Sequence, residues 1–361
     1  MPATGDKALI DAAFEPLVAA AAGDALKLAV LAMRAGKANK ARALAVARDA
    51  LALAPDDPEV GAIARSVLAA DVPLWHFAMM RDDPRNAAYQ QAIERAVKPG
   101  MRVLDIGSGS GLLAMMAARA GAAHVVTCEA DPAIAAVTQQ IVAANGFADR
   151  ITVLNRHSTS LDAETDLGGP ADLIISEIIG VDLVCEKALP SLADAKRRLL
   201  APGGTMIPTI GEIRVALAWW DGYAEIPAQT DQCGFDLSAF NQIAPCRWKI
   251  DVGTRRLHLR SDEAALMSFD LTATTVPDRH AALTLDSTGD PVNGVIQWIG
   301  LQLDDNGWFD NRPAHGALSS WACIFFPFPE PLDTAAGQPV SIAARVIGDA
   351  LRIWQAAPPS V

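Results

Sequence analysis

Three glycines alternate at the end of an apolar run, Val103-Leu104-Asp105-Ile106-Gly107-Ser108-Gly109-Ser110-Gly111, and nothing else in the 361 residues restricts the fold as strongly. The apolar stretch reads as a buried strand and Leu112–Ala120 as the helix that follows. The glycines between them let the backbone approach a nucleotide-like ligand with no side chain in the way. The alternation extends on both sides of this turn. Strands are expected at Arg102–Ile106, His124–Glu129, Ile151–Asn155, Ala171–Ser176 and Thr205–Pro208. Helices are expected at Ala87–Val97, Leu112–Ala120, Ala133–Asn145 and Leu189–Leu200. Such a pattern predicts a doubly wound parallel sheet over residues 71–208. Beyond Pro208 it changes to short alternating segments with Gly, Pro and Asp turns: Glu212–Trp219, Leu257–Leu259, Val295–Leu303, Trp321–Phe326 and Val340–Val346. Residues 209–361 therefore predict an antiparallel β unit, a barrel or a sandwich. Residues 1–70 are Ala- and Leu-rich with helical periodicity. Within them Ala41–Glu59, with small Ala43, Ala47 and Ala50 followed by Pro55, fits a tetratricopeptide repeat and fits an Ala-rich helical hairpin equally well.

The glycine spacing narrows the ligand. Dinucleotide enzymes spread their glycines as G-x-G-x-x-G, whereas here the order is G-x-G-x-G with Asp105 two residues before Gly107. An acid there suits the cationic amino-acid end of S-adenosylmethionine, directly or through water. Glu129, at the end of the next strand, is placed to bond both ribose hydroxyls. The expected core is thus a class I methyltransferase sheet with Asp105, Gly107, Gly109, Gly111 and Glu129 at the cofactor.

Composition excludes several alternatives. A formal charge of −12 disfavours nucleic acid, which needs a concentrated basic face, and favours a cationic partner. No apolar run approaches the roughly 18 residues of a membrane span, and Asp6 and Asp11 stand where a signal peptide would be basic and then apolar, so a cytoplasmic protein is expected. Cys128, Cys185, Cys233, Cys246 and Cys323 form no C-x-x-C pair, which indicates neither a disulfide framework nor a zinc site but reduced thiols in a core.

Several further motifs lie in order along the chain. They are Trp75-His76-Phe77 with Met79-Met80, Arg85-Asn86 and Tyr89, then Val103 to Met116, Asn145-Gly146-Phe147, Asn155 to Thr159, Ser176-Glu177, and Glu186 to Ser191. Through them the chain resembles the protein arginine N-methyltransferases over about residues 72–350. It is most similar to the branches that duplicate the catalytic module, one of which carries N-terminal tetratricopeptide repeats. The resemblance implies that Arg85 pairs with the cofactor carboxylate, a role suited to a guanidinium's forked grip. It also implies that Met79 and Met80 lie beside the sulfonium, although at helical spacing either also fits a core. His157, Ser158 and Thr159 are implied to face the adenine.

Glu177 and Glu186 flank Ile178-Ile179-Gly180-Val181-Asp182-Leu183-Val184-Cys185. An apolar loop with a central glycine can fold back so that both carboxylates face one cavity, an arrangement that costs free energy unless a cation fills it. Arginine's guanidinium is planar and permanently charged, and it accepts a forked grip from each acid. Holding its charge on one terminal nitrogen leaves electron density on the other for in-line attack on the sulfonium methyl. By itself Glu186 also reads as a carboxylate at a helix N-terminus.

Two departures from the family pattern bear on this reading. Most members carry Thr-His-Trp where this chain has Ser319-Ser320-Trp321, and the Ser320 hydroxyl can donate a hydrogen bond but cannot become a carboxylate's cationic partner. The chain also has one module where its nearest relatives have two, so a homodimer is expected. Its dimerisation arm would be Trp219–Lys249, with Trp220, Tyr223, Phe235, Phe240 and Trp248, unless those aromatics are barrel core. The expected acceptor is an arginine-containing protein or peptide, with a separate protein partner for residues 1–70. The competing readings are a class I methyltransferase acting on a small molecule or lysine, and a non-catalytic adaptor.

Overall fold

The computed structural model describes residues 14–35, 39–225, 233–275 and 280–357. Its N-terminal helices Ala25–Ala35, Lys40–Leu53 and Pro58–Ala69 enclose a small core of their own. The expected helix Ala41–Glu59 breaks at Leu53, because Pro55 cannot continue the ladder and Asp57 starts a new helix by accepting from the Glu59 and Val60 amides. Ala43, Ala47 and Ala50 are buried where these helices meet, since a methyl group permits close approach of backbones.

Strands β1 (Arg102–Ile106), β2 (His124–Cys128), β3 (Ile151–Leu154), β4 (Ala171–Ser176) and β5 (Leu200–Ile207) form a parallel sheet in the order β3-β2-β1-β4-β5. Helices cover both faces, which is why Leu104, Val125, Val126, Leu173, Ile174 and Ile175 are fully buried and the strands read as continuous apolar runs. Ligands in such sheets bind beyond the carboxyl ends of the strands, where the order reverses. Here that point lies between β1 and β4, and it carries Gly107 and Glu177.

The C-terminal half is built on the long strand Val292–Asp304, which pairs with Ile210–Trp220 on one side and Cys323–Leu332 on the other in a seven-stranded antiparallel sheet. A three-stranded sheet of His280–Thr288, Ala336–Ile347 and Ala350–Gln355 completes the barrel, so the hydrogen-bond ladders divide it in two. Trp220, Tyr223 and Trp248 pack around Phe325 in a small cluster on the face of the seven-stranded sheet turned away from the barrel interior, whereas Phe235 and Phe240 are exposed. The aromatics of the expected arm are therefore split between this second cluster and the surface. The thiols also divide: Cys128 and Cys323 are buried, while Cys233 and Cys246 are exposed and not in a core.

Candidate active site

The three glycines of the turn after β1 do different work. Gly107, at φ +88°, passes under the next crossover: a Cβ there would stand 2.5 Å from Cγ2 of Ile178. Gly109, at φ +50°, has nothing within 4 Å of its missing side chain and leaves open space on the cleft side. Gly111 instead permits helix packing, because its Cβ would lie 3.0 Å from Thr138 on Pro132–Ala144. Thr138 holds the turn in place by donating from Oγ1 to the Gly109 carbonyl at 2.6 Å.

Asp105 is fully buried beneath this turn. Its Oδ2 accepts from Thr127 Oγ1 at 2.8 Å, while Oδ1 is buried with no hydrogen-bond partner. Burial pushes the carboxyl up to about 7, helped by the charge of Glu129 and opposed by the Thr127 bond. Glu129 is held at the cleft by the Gly109 amide (3.2 Å to Oε2) and the Asp131 amide (2.9 Å to Oε1). Asp131 in turn caps the helix Pro132–Ala144 and takes Lys40 Nζ from the N-terminal helices at 2.8 Å. His76 lines the same wall; burial lowers its imidazole pKa, and Glu129 and Asp131 oppose that shift.

Glu129, Asp131 and His76 border a cleft of about 610 Å³ that also takes in Met79, Met80, Arg85, Glu177, Lys249 and Ser320. Arg85 and Glu177, whose side chains are 7% and 6% exposed, bond to each other through Nη1 and Oε2 at 2.9 Å. Arg85 also donates from Nη2 to the Met79 carbonyl and Asn86, and from Nε to Asn86. Of a guanidinium's five N–H groups, one is left for a further acceptor, so a two-pronged grip on a cofactor carboxylate requires one of these bonds to give way.

The loop after β4 folds back as its glycine suggests. At Gly180 a Cβ would stand 1.9 Å from Cys185 Sγ, so only glycine lets the two ends of the loop meet. Leu183 takes a left-handed φ of 65° and buries its side chain against Gly211. The barrel fixes the loop at two points. Gln297 Nε2 donates to the Val181 carbonyl at 3.1 Å, and Arg247 Nη1 meets Oδ2 of buried Asp182 at 2.8 Å. Glu186 lies in the one-turn helix Cys185–Lys187, and its side chain lies outside the described residues.

Ser320 has a defined partner. Asp82 Oδ2 accepts from the Ser320 amide (2.6 Å), the Ser320 hydroxyl (2.8 Å) and Ser319 Oγ (3.3 Å), while Asp82 Oδ1 caps the helix Asp83–Ala96. A barrel loop is thereby tied to the helix that carries Arg85. Sequence reasoning missed Asp82, as well as Thr127, Thr138 and Asp131. The expected residues are not all at the cleft: Asp105 and Gly111 lie behind its wall, and His157, Ser158 and Thr159 are not among its lining residues. His157 Nδ1 instead meets Thr159 Oγ1 at 2.8 Å in a separate turn, and buried Ser158 offers its carbonyl to Arg198. Among the described residues no group of three or more His, Cys, Asp or Glu side chains is placed to hold a metal ion.

Comparison with known proteins agrees with this geometry. Residues 88–211 match the family model described as ribosomal protein L11 methyltransferase (PrmA), which spans the parallel sheet. The chain is 36% identical over 295 residues, 81% of each protein, to an arginine N(omega)-methyltransferase of Streptomyces achromogenes subsp. streptozoticus. It is 29% identical over 311 residues to protein arginine N-methyltransferase 7 of Oryza sativa subsp. indica, a match covering 74% of this chain and 42% of the rice protein. The chain thus spans less than half the length of that relative. The fold is shared with a chain of the Trypanosoma brucei PRMT1 enzyme-prozyme heterotetrameric complex with AdoHcy (TM-score 0.68, 24% identity, 77% of this chain and 90% of that one). It is also shared with the crystal structure of PRMT6-SAH (TM-score 0.60, 20% identity, 78% and 99%).

Proposed function

Because this chain belongs to the arginine N-methyltransferase family, we propose that it methylates a terminal guanidinium nitrogen of an arginine-containing protein or peptide. S-adenosylmethionine is its cofactor, and the residues present fit that group. Gly109 opens space beside the turn, Glu129 stands at the ribose end, and the buried Oδ1 of Asp105 lacks a partner. When bound, the cofactor supplies an electrophilic methyl on a sulfonium sulfur. The observation that carries the proposal is the buried Arg85–Glu177 pair, which lines the cleft at the switch point of the sheet. Arg85 orients Glu177, and Glu177 holds the acceptor guanidinium so that its positive charge resides on the nitrogen facing the acid. The other terminal nitrogen is left free to accept the methyl group, whose bond to sulfur would break as the cofactor leaves as a neutral thioether, and the Glu177 carboxylate would receive the proton that the methylated product sheds. Glu186, across the folded loop, is the second acid of this reading.

The proposal includes a homodimer, supported by exposed Phe235, Leu237, Phe240 and Ile243 on the segment 233–249. It also treats residues 1–70 as a tetratricopeptide-like partner-binding unit, supported by exposed Leu17, Met33 and Leu53. The test is mass spectrometry of arginine and lysine peptides, and of free amino acids, incubated with enzyme and S-adenosylmethionine. Methyl groups on arginine nitrogens are expected. Transfer only to lysine or to acceptors without a guanidine would overturn the assignment.

A further inference from the structure

Lys249 lies on the short strand Trp248–Ile250, opposite Ile324, and lines the barrel side of the cleft together with Trp321. Arg247, just before this strand, reaches the loop after β4 through Asp182, and Lys249, itself largely exposed, borders the same cleft. Arg85 is held by Glu177 and Arg247 by Asp182, but among the described residues Lys249 has no ion-pair partner. A cation beside a site for a guanidinium is unfavourable, because like charges raise the free energy of the bound substrate. The cost is removed when the substrate brings an anion to that point.

We propose, resting on the reading that arginine is the acceptor, that the substrate carries a carboxylate near its arginine side chain and that Lys249 binds it. Two sources have this chemistry: the α-carboxylate of free or C-terminal arginine, and the side chain of an acidic neighbour within a peptide. Arginine inside a neutral or basic sequence offers neither. The site therefore selects small or acid-flanked acceptors, against the preference for basic peptides that a net charge of −12 alone suggests.

The experiment compares steady-state methylation of L-arginine, L-argininamide, a peptide with arginine beside aspartate, and the same peptide with asparagine there, using the full chain and its Lys249→Ala and Lys249→Glu variants. The carboxylate-bearing member of either pair is expected to have kcat/KM about ten- to a hundredfold higher in the parent, the range of one charge-assisted hydrogen bond. Lys249→Ala should abolish the preference and Lys249→Glu invert it. Preference within the amino-acid pair identifies the α-carboxylate, and preference within the peptide pair alone identifies an acidic neighbour. A parent that does not discriminate, or a variant that slows all four acceptors equally, overturns the proposal, the latter assigning Lys249 a general electrostatic role. The same pairs are titrated by calorimetry into the S-adenosylhomocysteine complex. Absence of turnover with a retained, Lys249-dependent binding preference refutes arginine methylation and leaves the carboxylate site standing, whereas no preference in either assay refutes the site.

Discussion

Replacing Asp105 by Asn should make the protein more stable, and increasingly so as the pH rises. The acid is fully buried, one of its oxygens has no partner, and its pKa is raised from 3.8 to about 7. A carboxyl whose folded pKa is raised takes up a proton on folding. Its stabilising contribution is complete below the ordinary carboxylate value and is lost as pH climbs through the folded value. The interval of about three units corresponds to about 4 kcal/mol at 1.36 kcal/mol per unit, reached near pH 7 and constant above it. Asn has the shape of the protonated acid and can still accept from Thr127, so it avoids this loss. Urea unfolding of the cofactor-free protein at pH 4, 6 and 8 should therefore give matching stabilities at the lowest pH and a growing advantage for Asp105→Asn above it. Other titrating groups shift both curves alike, so the difference isolates this one. S-adenosylmethionine should reverse the order at pH 8, since a nearby ammonium stabilises the ionised acid. Parallel pH profiles for parent and variant would show that Asp105 is already ionised when buried, and the argument for its role would fail.

Three further outcomes are expected. Glu177→Gln leaves Arg85 buried without its counter-charge, so the cofactor-free protein should lose about 3–5 kcal/mol by denaturant titration; methyl transfer should fall by a factor on the order of a hundred or more, and parental rates would contradict the role given to that acid. Asp182→Asn removes the charge that holds Arg247 and should lower kcat by about tenfold while the affinity for cofactor stays within about twofold; a loss confined to cofactor binding would show that the loop does not serve the acceptor side. Lys40→Ala unties the N-terminal helices from Asp131, next to Glu129, and should weaken cofactor binding by under about 1 kcal/mol, an effect that disappears in high salt; calorimetry at two salt concentrations checks it.

The parallel sheet was legible because its signals are local. Arg102–Ile106 and Ala171–Ser176 begin and end where the apolar runs do, and the turn between β1 and its helix is set by glycines within five positions. Strands with few large apolar residues were not legible: His280–Thr288 has only Leu283 and Leu285, and a polar residue, Ser287, takes the next inward position. The site divides in the same way. Glu129 and Gly109 could be read from spacing, but the Asp82–Ser320 bond joins residues 238 apart and the Gln297–Val181 bond joins residues 116 apart. Contacts of that range leave no periodic trace in a sequence. Arg85 and Glu177 were each identified, but their union was not, because each had been assigned a ligand in place of the other.

The core has a consequence for how the molecule comes apart. Apolar residues of the parallel sheet and of the barrel interior form one continuous cluster, from Tyr89 through Leu104 and Ile175 to Ile299 and Ile353, a smaller cluster around Trp298 and Phe325 lies on the other face of the barrel's larger sheet, and the N-terminal helices keep their own. Cooperative unfolding follows shared burial. Pro208, where the pattern of the sequence changes, is therefore no thermodynamic border: severing the chain there exposes half of a common interior, and neither fragment is expected to persist alone. The break in cooperativity falls earlier, near Asp71, where the helices can melt first and release Asp131 while the catalytic body remains folded.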